Sequence, residues 1–188
     1  AECIEVRVDL PRDERVAYAM AEDGDKYRLC STSETKSKVV QDLVRRHEGD
    51  QILVIGQYID QLDELAERLD APVIKGGTPV KERQRLFSDF REGKLKTLVV
   101  SKVANFSIDL PEASVAIQVS GSFGSRQEEA QRLGRLLRPK SDGRAAHFYT
   151  VVARDTLDQD FAAKRQRFLA EQGYAYSIQD AADIEKPA

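Results

Sequence analysis

Ile52-Leu53-Val54-Ile55-Gly56 is the stretch from which the fold can be read: four consecutive aliphatic residues closed by a glycine. A short unbroken apolar run ending in a turn signal predicts a strand buried on both faces. Ile59, Leu62, Leu65 and Leu69 then recur at helical spacing and predict a helix over 58–69. Val73-Ile74 reads as a short strand ending at Gly76-Gly77. Thr78-Pro79 after it has the form of an N-cap and first-turn pair, opening a helix that Gly93 ends. Leu98-Val99-Val100 repeats the strand signal. Strands alternating with helices, each strand apolar along its length, predict an α/β fold. Its form is a three-layer, doubly wound, mostly parallel sheet with helices on both faces.

The same alternation extends outward. Upstream, Val40, Leu43 and Val44 mark a helix over 34–47. Earlier still, Ile4, Val6, Val8 and Leu10 alternate with Glu5, Arg7 and Asp9, the pattern of a half-buried strand, which Pro11 closes. A short helix over 12–21 and a polar loop complete residues 1–33, read as a lead-in to a domain over 34–188. Downstream come a strand at 115–119, a helix from Ser125 with Glu128 completing a capping box, and a strand at 147–152. A helix over 155–172 stopped at Gly173 and a short tail strand near 174–178 end the pattern.

The 188 residues are 41% hydrophobic and 32% charged, enough for a packed core and unlike a disordered chain. No apolar run approaches the roughly 20 residues that span a bilayer, so a soluble, cytoplasmic protein without membrane partners is expected. Cys3 and Cys30 form no C-x-x-C pair, and His47 and His147 stand apart from them, which argues against a structural zinc or a disulfide framework. The net charge of -3 is unlike a globally basic nucleic-acid binder, so any such contact must be local or made by backbone amides.

Three segments carry chemistry. In 126–138, Ala130, Leu133 and Leu137 share one helical face while Gln131, Arg135 and Arg138 lie nearly opposite. Gly134 at the boundary would let another surface approach. A solvated arginine face explains this pattern; so does a triphosphate clamp, for which paired guanidinium forks are suited by permanent charge and planar donors. The loop over 101–111 follows a buried strand at the end where doubly wound sheets place ligands, and Asp109 between two aliphatic residues needs a partner. A turn aspartate before proline is the plain alternative. Lys75-Gly76-Gly77-Thr78 opens a helix, where free amides attract anions and glycine permits close approach, although simple capping would use the same residues. No G-x-x-x-x-G-K-[ST] loop and no magnesium-binding Asp-Glu pair after a strand occur, so ATP cannot be held by this chain alone in the usual way.

Taken in order, these segments resemble the C-terminal, second RecA-like lobe of superfamily 2 helicases: 52–57 its motif IV, 101–111 its motif V, and Gln131-Arg-Leu-Gly-Arg-Leu-Leu-Arg138 its motif VI. Ser-Ile-Asp-Leu-Pro-Glu-Ala at 107–113 and Gly-Ser-Arg-Gln-Glu-Glu-Ala-Gln-Arg-Leu-Gly-Arg at 124–135 bring the chain nearest to bacterial XPB-type DNA-repair helicases, over about 34–172. The stretch between Val16 and Ser31 is too short for the thumb-like insertion that XPB proteins often carry.

The resemblance implies a DNA-dependent ATPase split between two lobes. Arg135 and Arg138 would be arginine fingers toward an ATP held with Mg by a first lobe of the same polypeptide. Gln131 would meet the γ-phosphate or its water, and Asp109 and Gly134 would border the nucleotide. Ser101, Lys102, Gly77 and Thr78 would follow the DNA backbone without reading sequence. It would act in the cytoplasm of a prokaryote, at the nucleoid. A stand-alone α/β binding module, or the lobe of a chromatin-remodelling or restriction translocase, remains an alternative that fold alone does not separate.

Overall fold

The computed structural model describes residues 1–101, 113–121 and 143–185. Its strands are β1 (Glu2–Val8), β2 (Ile52–Gly56), β3 (Val73–Ile74), β4 (Thr97–Ser101), β5 (Val115–Gln118), β6 (His147–Ala153) and β7 (Ala175–Asp180). They form one sheet in the order β3-β4-β2-β5-β6-β1-β7, and every registered pairing is parallel. The helices among the described residues are α1 (Arg12–Met20), α2 (Asp23–Ser31), α3 (Glu34–Arg46), α4 (Ile59–Leu69), α5 (Val80–Arg91), α6 (Leu157–Glu171) and α7 (Ala181–Glu185).

Because neighbouring side chains of a strand point to opposite faces, each buried strand feeds two cores. Ile52 and Val54 of β2 pack with Val39, Val40 and Leu43 of α3 and Leu62 and Leu65 of α4. Leu53 and Ile55 pack on the other face with Leu86, Phe87 and Phe90 of α5. The expected three-layer, doubly wound α/β architecture is therefore what the chain adopts. Among the described residues, no helix is long and apolar enough to cross a membrane.

Two readings of the N-terminal part change. The polar stretch after 21 is a second helix, α2, whose buried Cys30 and Ser31 are held by the rest of the fold rather than by any strong local pattern. Ser33 then caps α3, accepting from the Thr35 amide at 3.2 Å. And β1 is not half-buried: it lies between β6 and β7, and Glu5 is fully buried. Its carboxylate accepts from Arg7 Nε (2.6 Å) and the Tyr176 hydroxyl (2.7 Å), which is how a charged residue alternating along an internal strand is tolerated. Burial first, and this carboxylate second, raise the Tyr176 pKa well above the ordinary phenol value.

Gly56 also has a role other than a simple turn. It is the last residue of β2, and a Cβ there would sit 2.8 Å from Leu62 Cδ2 and 2.9 Å from Ser120 Oγ. Close packing, not left-handed backbone, requires glycine at this position.

Candidate functional site

In an all-parallel sheet the strands end at a common edge, and ligands of open α/β folds bind outside that edge where the strand order reverses. Here the chain leaves β2, crosses to β3, returns as β4 beside β2, and resumes as β5 on the opposite side. The reversal lies at β2. Ser101 at the end of β4 and Gly121 just beyond β5 are the last described residues before segments 102–112 and 122–142. Both segments therefore start from the strands that flank β2, at the same edge. Lys102, Asp109, Gln131, Gly134, Arg135 and Arg138 lie outside the described residues.

Ser101 is fully buried and pairs in register with Gly56. Beside it, β3 hands over to the 75–78 turn, since Ile74 pairs with Val100. The turn corrects the expected cap. Pro79 occupies the N-cap position of α5 without a side-chain bond, while the Thr78 hydroxyl accepts from the Lys75 amide at 2.9 Å. The Thr78 amide donates to the Lys75 carbonyl at 3.1 Å, so the threonine closes its own turn instead of capping the helix. Gly77 is exposed, and a Cβ there would meet nothing within 4 Å. Neither packing nor left-handed backbone demands glycine there. Lys75 extends its ammonium to Asp63 at 2.7 Å.

Sequence reasoning missed the floor of this edge. Lys36 of α3 is fully buried; its Nζ donates to the Val119 carbonyl at 3.0 Å and lies 2.5 Å from Asp158 Oδ2. Asp158 also accepts from the Ala153 amide at 3.0 Å, in the first turn of α6, where negative charge is favoured. Ser120 Oγ accepts from the Gln57 amide at 2.9 Å. The Tyr27 hydroxyl accepts from the Gly121 amide at 2.9 Å, and Gln118 Nε2 donates to the Gly121 carbonyl at 2.5 Å. Burial, reinforced by the Asp158 charge, pushes the Tyr27 phenol up to about 12. A signal for Lys36 was present: it falls at helical spacing with Val39, Val40 and Leu43, a charged residue within the apolar stripe of α3.

Two arginines along this edge are matched by acids. Arg154 bridges Asp9 and Asp180, each at 2.8 Å, and Arg28 reaches Asp60 at 3.4 Å while stacking over Tyr58. Among the described residues, no group of three or more His, Cys, Asp or Glu side chains could hold a metal ion. A cavity of about 330 Å³, lined in part by His47, Asp50, Ile52 and Lys96, opens at the opposite edge of the sheet and is separate from this site.

Comparisons with known proteins identify the family and the fold. The family model described as the ERCC3/RAD25/XPB C-terminal helicase matches residues 1–187. A "DNA 3'-5' helicase XPB" of Kineococcus radiotolerans is 76% identical over 98% of this chain and 33% of its own length. A protein of the same description from Mycobacterium tuberculosis is 64% identical over 100% of this chain and 34% of its own. The chain thus spans about a third of the length of these relatives. Among solved structures, the C-terminal domain of the DEAD-box protein Dbp5 superposes with a TM-score of 0.69 at 20% identity, covering 82% of this chain and 88% of that domain. The E. coli DEAD-box protein SrmB gives 0.63 at 18% identity, covering 100% of this chain and 95% of its own. These two likenesses concern the fold.

Proposed function

The chain belongs to the ERCC3/RAD25/XPB C-terminal helicase family, and we propose that it is the second motor lobe of an ATP-dependent DNA helicase or translocase acting in DNA repair. In this reading ATP and Mg are held mainly by a first lobe of the same polypeptide. Arg135 and Arg138 reach the triphosphate when the lobes close. Gln131 meets the γ-phosphate or its attacking water, and Asp109 and Gly134 border the nucleotide. Gly77, Thr78 and Lys102 follow the DNA backbone at the adjoining edge, whereas Ser101, expected to do so as well, is buried at the end of β4 and offers it no surface. The protein works in the cytoplasm, on the nucleoid.

The observation that supports this reading is topological. The segments bearing Asp109 and the two arginines leave from β4 and β5, on either side of β2, and the 75–78 turn ends the neighbouring strand at the same edge. Guanidinium donors suit phosphate oxygens because their charge is permanent and their donors planar. Among the described residues, no carboxylates gather as a magnesium ligand set. A Gly77 that local packing does not require leaves its backbone open to a phosphate.

Hydrolysis assays with and without DNA test this division of labour. The 188-residue chain alone should show no DNA-stimulated ATP turnover, whereas a protein carrying both lobes should. Stimulated turnover by the isolated chain would refute it.

A further inference from the structure

We propose that Tyr58, Tyr27 and Phe161, with Arg28 laid over Tyr58, form a shelf on which an unpaired base of a DNA strand stacks. The proposal rests on the reading of this edge as a DNA surface given above, and adds a base contact to the backbone contacts. Tyr58 follows β2 at the N-cap of α4, Tyr27 comes from α2, and Phe161 stands near the start of α6. Three parts of the chain thus bring three rings into contact. The centroids of Tyr58 and Tyr27 lie 6.3 Å apart, and those of Tyr27 and Phe161 5.4 Å. The Arg28 guanidinium carbon sits over the Tyr58 ring, 5.1 Å from its centroid. The shelf adjoins the proposed backbone track: Gly56, two residues before Tyr58, is in register with Ser101 at the end of β4, beside the strand that the 75–78 turn ends.

Core packing accounts for only one of these rings. Tyr27 packs against the core, and its hydroxyl accepts from the Gly121 amide at 2.9 Å, which fixes the ring in place. Phe161 is 39% exposed, and neither it nor Tyr58 belongs to a core cluster among the described residues. A single exposed ring is ordinary on a protein surface. Contiguous rings beside a guanidinium plane make a stacking platform, because every base has a π-face that rings and guanidinium planes both accept. The local charge selects the base over the phosphate. Arg28, 58% exposed at its side chain, is already paired at 3.4 Å with Asp60, whose carboxylate is 88% exposed. That carboxylate repels a phosphate and leaves attraction to an uncharged π-face intact.

The test measures binding of the 188-residue chain at low salt to a single-stranded oligonucleotide carrying 2-aminopurine and to an abasic strand of equal length. The variants are Tyr58→Ala and Phe161→Ala, with Tyr58→Phe and Phe161→Tyr keeping the rings. Each alanine variant should bind the intact strand about fivefold or more weakly, as expected for one lost stack, and lose part of the 2-aminopurine fluorescence change. Affinity for the abasic strand should stay within about twofold of the parent and the salt slope should not move, since no phosphate contact is removed. The ring-keeping variants should bind as the parent does. Phe161→Ala, at an exposed ring, decides the matter if Tyr58→Ala fails to fold. Equal losses on intact and abasic strands would assign the shelf to the backbone and overturn the proposal. Parental affinity in both alanine variants would overturn it too; if those variants then lost DNA-stimulated turnover in a protein carrying both lobes, the shelf would face the first lobe instead. A parent that binds neither strand would remove the premise and the inference with it, and is told apart because the unsubstituted chain is then the one that fails.

Discussion

Gly56 and Ser120 are packed so closely that a methyl group on the glycine would lie 2.9 Å from the serine hydroxyl oxygen. The same hydroxyl accepts from the Gln57 amide, so the contact ties the end of β2 to the chain leaving β5. Gly56→Ala should therefore destabilise the lobe by about 1–3 kcal/mol, the usual range for overpacking a tight interior. Adding Ser120→Gly should recover part of that loss, since the remaining neighbours, Leu62 Cδ2 at 2.8 Å and Val119 Cγ1 at 3.1 Å, are side-chain ends. Thermal melting of the two variants checks the ordering.

In a protein carrying both lobes, Arg135→Ala or Arg138→Ala should reduce DNA-stimulated hydrolysis by on the order of hundreds-fold, as arginine fingers contribute about 10³ to 10⁵ in related phosphoryl transfers. ATP affinity should change far less, because a group engaged in the transition state contributes little to ground-state binding. Arg135→Lys should also fail, an ammonium being no substitute for a planar fork. Steady-state rates set against equilibrium nucleotide binding separate the two effects; normal turnover in both alanine variants returns these arginines to a solvated face.

The lobe alone should bind DNA weakly, without sequence preference and with marked salt dependence. Lys102→Ala should lower the slope of log K against log salt by about 0.7 to 0.9, the contribution of one phosphate contact. Fluorescence anisotropy over a salt series on two unrelated sequences measures both quantities. Binding that resists high salt or differs between the sequences would contradict backbone recognition.

Arg154 holds the Asp180 carboxyl below its ordinary pKa of 3.8, chiefly through their hydrogen bond. A depressed folded-state pKa contributes stability that is present above the unfolded value and is lost as pH falls through the folded one. The effect is thus confined to acid pH, below the ordinary carboxylate value, and it is small because both groups are solvent-screened. Arg154→Ala should bring the Asp180 midpoint back toward 3.8 in a carboxyl titration followed by NMR, and should flatten the acid limb of stability against pH. An unmoved midpoint would show that the pairing is not formed in solution.

What could be read in the sequence was governed by how local the determining physics is. The run from Ile52 through the helix of Leu62 and Leu65 to Val99 has its own periodicity, and the structure follows it element by element. Glu5 misleads for the opposite reason: alternation with apolar neighbours is what an exposed face looks like, and Tyr176, which accommodates the charge, is remote in sequence. Helix α2 was illegible because Asp23-Gly-Asp carries no apolar period and its seating depends on Tyr27 meeting Gly121, just beyond β5, and Phe161 of α6. At the candidate site, the sequence showed that Ser101, Gly77 and Thr78 each follow a strand signal, whereas the strand order that sets β3 beside β4 came from the structure. Lys36 is visible in retrospect as a charge in an apolar stripe, but its two partners come from distant parts of the chain.

The position of β1 shapes how this lobe can be made. Glu2 is registered with His147 on one side and with Ala175 on the other, so the first strand of the chain is clasped between two of the last. Contacts of such sequence separation close late, because loop-closure entropy must be overcome before they form. A chain emerging from the ribosome could assemble β2, β3 and β4 with their helices, yet β1 would have nothing to pair with until β6 and β7 arrived. The ribosome must therefore have passed β7 before the sheet can close, and β1 waits unpaired in the meantime, a hazard for aggregation during translation.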